Sequence, residues 1–346
     1  MTSKQDIRLL TLEDLIAFFN KNGVASFRAK QVYEWLWKKR AINFNEMTSL
    51  SIANRNLLKK YFSINNIDIH KSEQSSDKTI KYSLKLHDNK LVEGVIIPSK
   101  NRLTACVSSQ AGCSLACTFC ATGTLKLERN LNFSEIYDQV YILNEEAKLK
   151  FGKPLSNIVY MGMGEPLLNY DNLIKSVELI TNKQGLGMSP KRITVSTAGI
   201  AKMIKKLADD EVKFNLALSL HTADDEKRNS IMPINKSIDL TELKEAVKYF
   251  YNKTGTRVTY EYILFDGVND TLEDANKLLK FCKKTPCKVN LIEYNQVDGF
   301  AYKKSSKKRT NAFIEYLEER NIIVNLRRSK GKDINAACGQ LVNKLK

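Results

Sequence analysis

The 346-residue chain has no apolar run approaching the roughly 20 residues that a membrane span needs. Its opening stretch, MTSKQDIRLLTLEDLIAFFN, breaks its apolar positions with Lys4, Asp6, Arg8, Glu13 and Asp14, so it lacks the uninterrupted core of a secretory signal. Low-complexity segments are missing too, and 43% of the residues are hydrophobic, which suits a substantial core rather than disorder. A cytoplasmic protein with no membrane partner is the expectation. Acidic residues are scarce: 38 Asp and Glu stand against 55 Lys and Arg, a formal net charge of +17. That charge attracts phosphate polyanions, so a nucleic acid is favoured as partner, with a basic housekeeping enzyme carrying solvated lysines as the alternative. Only three histidines are present, which limits the ligands open to zinc, whereas seven cysteines in a reducing compartment point to metal binding or thiol chemistry.

Residues 1–70 read as a helical accessory domain, expected to bind RNA. In S-FRAKQVYEWLWKKR, Ser26 is placed as an N-cap, with Val32, Trp35 and Leu36 on one face. Lys38, Lys39 and Arg40 beside Trp37 suit an RNA backbone and a base, or simply complement the helix dipole. Residues 71–98 alternate polar and apolar positions around His87-Asp88-Asn89, the pattern of a β-hairpin linking two domains. Residues 99–346 repeat strand, loop and helix, with strands expected at 103–109, 157–162, 192–196, 213–220, 256–265, 288–294 and 321–328. Such alternation gives an α/β fold of parallel βαβ units, a partial or complete TIM-type barrel. A barrel of this kind carries its active site just after the strands, where CSLACTFC, MGMGEP, Ser196-Thr197, Ser219-Leu220-His221, Asn295 and Cys338 all fall.

Cys113, Cys117 and Cys120 form C-x3-C-x2-C, three soft thiolates suited to zinc or to an iron-sulfur cluster. A structural zinc would need a fourth ligand, from Cys106 or a histidine, whereas a 4Fe-4S cluster held by three cysteines leaves one iron open. Taken alone, Gly164 is an ordinary turn glycine, Glu165 a solvated carboxylate and His221 a structural histidine; their shared position favours a ligand site.

The segment CSLACTFCATG resembles the cluster motif of the radical S-adenosylmethionine (SAM) enzymes. ACVSSQAGC, YMGMGEPLLN, ITVSTAGI, SLH, MPIN, GVND, KVNLI and AACGQL are similar to segments of the family of adenine-C2 RNA methyltransferases acting on 23S ribosomal RNA and tRNA, and FRAKQVYEWLWKK to its accessory domain. The resemblance implies a partial barrel of the radical SAM class. It makes Cys113, Cys117 and Cys120 ligands of one 4Fe-4S cluster, and assigns Gly164, Glu165, Ser196, Ser219, Leu220, His221 and Asn295 to SAM. Two SAM molecules are implied per turnover, one as methyl donor and one as radical source, with an external electron donor of flavodoxin type. Adenine C2 lies between two ring nitrogens and cannot attack a methyl sulfonium. The family solution has Cys338 take a methyl, a radical on that carbon add to the base, and Cys106 attack the Cys338 sulfur, leaving a disulfide to be reduced. Glu93 falls at the proton-acceptor position. Arg327, Arg328, Lys330 and Lys332 are expected at phosphates beside an unstacked adenine, and Cys282 and Cys287 as inert thiols.

Asn335 and Gln296 depart from the aspartate and proline of the family pattern. Pro166 favours C2 over the related enzyme that methylates C8 of the same ribosomal adenine. From another class, the chain reads as a non-catalytic, zinc-stapled RNA-binding or ribosome-assembly factor. A monomer is expected.

Overall fold

The computed structural model describes residues 4–342. Helices α1 (Leu12–Lys21), α2 (Phe27–Trp37) and α3 (Ile52–Tyr61) make the N-terminal unit. Thr11 and Asp14 begin α1 with a reciprocal capping box, each side chain accepting from the other's backbone N–H. Ser26 makes no such cap and is already helical. Val32 and Leu36 pack inward as their spacing predicts, but the two tryptophans exchange the expected roles. Trp37 is 1% exposed and meets the Tyr137 ring edge-on at 5.5 Å, whereas Trp35 is half-buried, with the Lys39 ammonium 3.8 Å from its ring centre. Residue 37 adjoins Leu36 on the face turned toward the barrel, so it is core rather than a platform for a base.

The remaining framework is one ten-stranded sheet. Strands β1 (Asp68–Gln74), β2 (Ile80–Lys85), β3 (Leu91–Ser99) and β4 (Arg102–Cys106) run antiparallel. From β4 the sheet continues in parallel through β5 (Asn157–Tyr160), β6 (Ile193–Thr197), β7 (Asn215–Ser219), β8 (Val258–Leu264), β9 (Cys287–Glu293) and β10 (Val324–Arg327). The order β10-β9-β8-β7-β6-β5-β4-β3-β2-β1 places each strand beside the next in sequence, and no described strand joins the two ends. This is a partial barrel. Residues 71–98 therefore extend the barrel sheet itself. Asn89, at φ 67°, supplies the left-handed position of the β2–β3 turn.

The crossovers are α4 (Phe133–Phe151), α5 (Tyr170–Thr181), α6 (Ala201–Asp209), the pair α7 (Asp225–Ile231) and α8 (Leu240–Thr254), α9 (Leu272–Cys282) and α10 (Lys307–Glu318). Strands covered on both faces lose alternation and become continuously apolar. Every residue of β8 is buried, including Glu261, the one charged side chain in VTYEYIL. Arg8 joins the N-terminal unit to α4 through Asp138 at 2.7 Å, both side chains being 1% exposed.

The last described segment crosses the open side of the sheet. The Gly331 N–H donates to Asp77, Asp333 accepts from Ser75 Oγ at 2.6 Å and from the Ser76 N–H at 3.0 Å, and the Val342 N–H donates to Glu93 Oε2 at 2.9 Å. Asn335 occupies a left-handed conformation (φ 51°), which asparagine tolerates better than most residues.

Candidate active site

A cavity of about 160 Å³ opens at the C-terminal ends of the parallel strands. Cys113, Cys117 and Cys120 line it from the loop after β4. Tight turns shape that loop: the Cys120 N–H donates to the Cys117 carbonyl at 3.2 Å and the Gly123 N–H to the Cys120 carbonyl at 2.9 Å. Gly112 (φ 79°) admits no side chain, since a Cβ there would stand 2.1 Å from the Lys126 carbonyl oxygen. Burial pushes the Cys113 thiol up to about 11 and raises Cys117 and Cys120; each of the first two is raised further by the charge on neighbouring cysteines. Three thiolates this close together would need a cationic metal to hold them, because a ligating cysteine must lose its proton.

Among the described residues, no three His, Cys, Asp or Glu side chains converge as a single metal ion requires. Three soft thiolate donors on one loop suit an iron-sulfur cluster, which would keep one iron open to a further ligand. Of the possible fourth zinc ligands, Cys106 lines a different cavity, and His221, on another wall of this one, has its Nδ1 engaged by the Ile263 N–H at 3.2 Å.

The opposite wall comes from the ends of β5 to β8. A Cβ on Gly162 would approach the Val107 carbonyl at 2.7 Å, and one on Gly164 (φ 94°) would reach Gln110 Cβ at 2.4 Å. Both glycines therefore let the β5 loop lie against the chain after β4 and still face the cavity. Glu165 is 3% exposed; its Oε2 accepts from the Ala198 N–H at 2.7 Å and its Oε1 from the Leu167 N–H at 3.0 Å. Burial raises its pKa, with these amides opposing the rise. Ser196 and Ser219 oppose one another with 3.3 Å between hydroxyl oxygens, and His221, edge-on to Phe119, completes this side. Burial holds His221 down to about 3, so its ring is neutral.

Two of the residues assigned to SAM do not line this cavity. Leu220 is wholly buried and contributes its carbonyl, which accepts from Arg228 Nε. Asn295, 5% exposed, lies behind Cys338, donating from Nδ2 to the Cys338 carbonyl at 3.3 Å, while its Oδ1 has no partner.

Cys338 lines both the main cavity and a second one of about 70 Å³, where it is joined by Cys106. Its segment is tied on both sides: the Ala121 N–H donates to the Gly339 carbonyl at 2.7 Å, and Gln340 Nε2 to the Gln296 carbonyl at 2.9 Å. Burial, followed by the charge of Cys338, pushes Cys106 up to about 12; Arg327 opposes the shift. Glu93 lines neither cavity. Its carboxylate is 3.5 Å from Lys81 Nζ and accepts from the Val342 N–H.

Arg327 also departs from expectation, turning inward to line both cavities with its Nη1 3.0 Å from Glu261 Oε2. Arg228 escapes sequence reasoning altogether. It is fully buried and donates to Asn235 Oδ1 and to the Ala198, Ser219 and Leu220 carbonyls, fastening together the loops after β6 and β7. Glu261 left a signal, a carboxylate in an otherwise uncharged buried strand; Arg228, in the polar run DEKRNS, left none.

Comparison with known proteins agrees with this geometry. Residues 107–282 match the Radical SAM superfamily, and residues 6–64 match the ribosomal RNA large subunit methyltransferase N-terminal domain. A probable dual-specificity RNA methyltransferase RlmN from Christiangramia forsetii is 57% identical over 341 residues, covering 99% of this chain and 97% of the relative. The chain belongs to the RlmN family. A dual-specificity RNA methyltransferase RlmN of Pelobacter propionicus is 41% identical across 100% of this chain and 98% of its own length. The crystal structure of a radical SAM methyltransferase from Sphaerobacter thermophilus superposes with a TM-score of 0.91 at 36% identity, covering 97% and 99% of the two chains. A 4Fe-4S cluster and SAM are the cofactors of this family, and the loop carrying Cys113, Cys117 and Cys120 lies within the matched radical SAM region.

Proposed function

We propose that this chain methylates C2 of a specific adenine in 23S ribosomal RNA and in tRNA. The observation carrying this reading is the placement of Cys338 on the wall shared by the cavity of Cys113, Cys117 and Cys120 and the cavity of Cys106. One thiol thus faces both the radical-generating side and a second thiol. Cys113, Cys117 and Cys120 hold the 4Fe-4S cluster, which when bound supplies the electron that cleaves SAM to a 5′-deoxyadenosyl radical. Gly162 and Gly164 leave backbone exposed where SAM packs; Glu165, Ser196, Ser219 and His221 present its polar contacts, and Asn295 offers an unpaired oxygen behind Cys338.

Cys338 carries the transferred carbon as a thioether, because adenine C2 is too electron-poor to take a methyl by polar attack. Cys106 breaks the resulting link. Its thiolate forms a bond to the Cys338 sulfur as the bond from that sulfur to the RNA-borne carbon breaks, and the electron pair leaves on the carbon, which is then protonated. Glu93 takes the C2 proton in this scheme. Its present ties to Lys81 and the Val342 N–H mean that the C-terminal segment must release it when RNA is seated.

Residues 1–70 form the RNA-binding accessory unit, residues 71–98 join it to the barrel, and residues 99–346 hold the chemistry. The reading takes the enzyme to be cytoplasmic and monomeric and to draw electrons from a flavodoxin-type donor; no described helix is long and apolar enough to cross a membrane. Nucleoside mass spectrometry of ribosomal RNA and tRNA tests the reading. Cells lacking the gene are expected to lose 2-methyladenosine, with recovery on supply of the wild-type chain but not of Cys338→Ala. Appearance of 8-methyladenosine instead would transfer the assignment to the C8 branch.

A further inference from the structure

Two thiols that must act as sulfur anions, Cys106 buried and Cys338 half-buried, lie in a cavity whose largely apolar walls penalise negative charge. Cys106 is 6% exposed, and its register partners on the flanking strands are Val95 and Val159. The charged or titratable groups lining its cavity are Cys338, Arg327, Arg328 and Lys330. Glu93, two residues from Val95 on β3, is engaged by Lys81 and the Val342 N–H. Of the three cations, Arg327 alone also lines the main cavity, and it is the one secured by a buried carboxylate.

That attachment is built into the sheet register. Glu261 on β8 lies opposite Asn290 on β9, and Asn290 opposite Asn325 on β10. Asn290 Nδ2 donates to Glu261 Oε1 at 2.8 Å, and Asn325 Nδ2 to Asn290 Oδ1 at 3.3 Å. Glu261 Oε2 is left for Arg327 at 3.0 Å, while the same guanidinium nitrogen lies 3.8 Å from Met161 Sδ. A charged group on an interior strand is costly unless paired. Here the carboxylate holds one guanidinium nitrogen of a side chain that lines both the cavity of Cys106 and the main cavity, the two that Cys338 also lines.

We propose that Arg327, fixed by the Glu261–Asn290–Asn325 ladder, is the cation that stabilises sulfur anions at Cys106 and Cys338. Its place in turnover rests on the reaction proposed above: it favours the Cys338 thiolate that accepts a methyl and the Cys106 thiolate that attacks Cys338. Burial and then Cys338 push the Cys106 thiol up and Arg327 opposes them, while the guanidinium is held up against burial first by Glu261 and then by the two sulfurs.

The test uses the full-length, cluster-reconstituted chain under anaerobic conditions, with iodoacetamide as probe and the pH of half-maximal labelling as readout. Trypsin isolates Cys338 as the sole cysteine of residues 333–344, and fragmentation locates label at Cys106 within residues 103–126. Arg327→Gln is expected to raise the half-labelling pH of both sulfurs by about one unit, equivalent to about tenfold slower labelling at a fixed lower pH. Arg327→Lys, which keeps a point charge without the planar fork, should fall nearer to wild type than Arg327→Gln does. An unchanged half-labelling pH in Arg327→Gln overturns the proposal, as do equal shifts in both variants, which would make packing rather than charge the cause. Labelling requires no turnover, so failure of the methylation reading, seen as unaltered 2-methyladenosine on gene deletion, is distinguished from failure here.

Discussion

Acidification from pH 7 to pH 5 should destabilise this chain mainly through one ring. His221 is 4% exposed, accepts at Nδ1 from the Ile263 N–H, and has its carbonyl tied to Asn269 Nδ2 at 2.6 Å. Burial, followed by the nearby Arg228 cation, holds the folded pKa near 3 against an ordinary 6.5, and protonation would also set a second donor against that N–H. Unfolded chain takes this proton as pH falls through 6.5, whereas folded chain resists until about 3. Stability is thus lost with falling pH across that window, reaching roughly 2 kcal/mol at pH 5. Asp77, Asp88, Asp224 and Asp333, whose pKa values are held below 3.8, lose their contributions chiefly at lower pH. The raised carboxyls of Asp6 and Glu165 act in the opposite direction and are common to both proteins compared. Urea unfolding of cluster-free wild type and His221→Gln at pH 7 and pH 5, under reducing conditions, isolates the ring. The substitution adds an offset at both pH values because residue 221 has φ 58°, but that offset cancels in the difference. Equal acid losses in the two proteins would refute the reasoning.

Asp138→Ala removes the carboxylate hydrogen-bonded to the buried Arg8 guanidinium, leaving only Asp6 Oδ1 at 4.0 Å from Nε, and should cost about 3 kcal/mol, read as a lower thermal midpoint and proteolytic release of the N-terminal unit. Gly164→Ala places a side chain at φ 94° and 2.4 Å from Gln110 Cβ; a cost of about 1–3 kcal/mol from the backbone alone, with SAM binding lost in equilibrium dialysis, is expected. Cys117→Ala should abolish iron content and the violet-edge absorbance after anaerobic reconstitution, whereas Cys282→Ala, at the far end of α9, should retain both.

The barrel was legible because buried parallel strands are apolar runs separated by amphipathic helices, and the C-x3-C-x2-C spacing singled out, without tertiary information, a loop that lies in the matched radical SAM region. Trp37 was misplaced because α2 has two candidate faces, and only docking against Tyr137 decides between them. The hairpin residues could be recognised as strands, yet their continuity with β4 depends on pairing between β3 and β4, a long-range choice. Arg327 read as one more lysine-rich tail cation, since its inward turn depends on Glu261 two strands away. The anchoring of Cys338 likewise comes from Asn295, Ala121 and Gln296, none of them near it in sequence.

The central claim is that a carbon passes through Cys338 and that Cys106 releases the product. Intact mass analysis of anaerobic Cys106→Ala, incubated with SAM, reductant and substrate RNA, tests it most directly. The account predicts a covalent protein–RNA adduct attached within residues 333–344, with little free methylated RNA. Wild-type yields of free 2-methyladenosine and no adduct would contradict it.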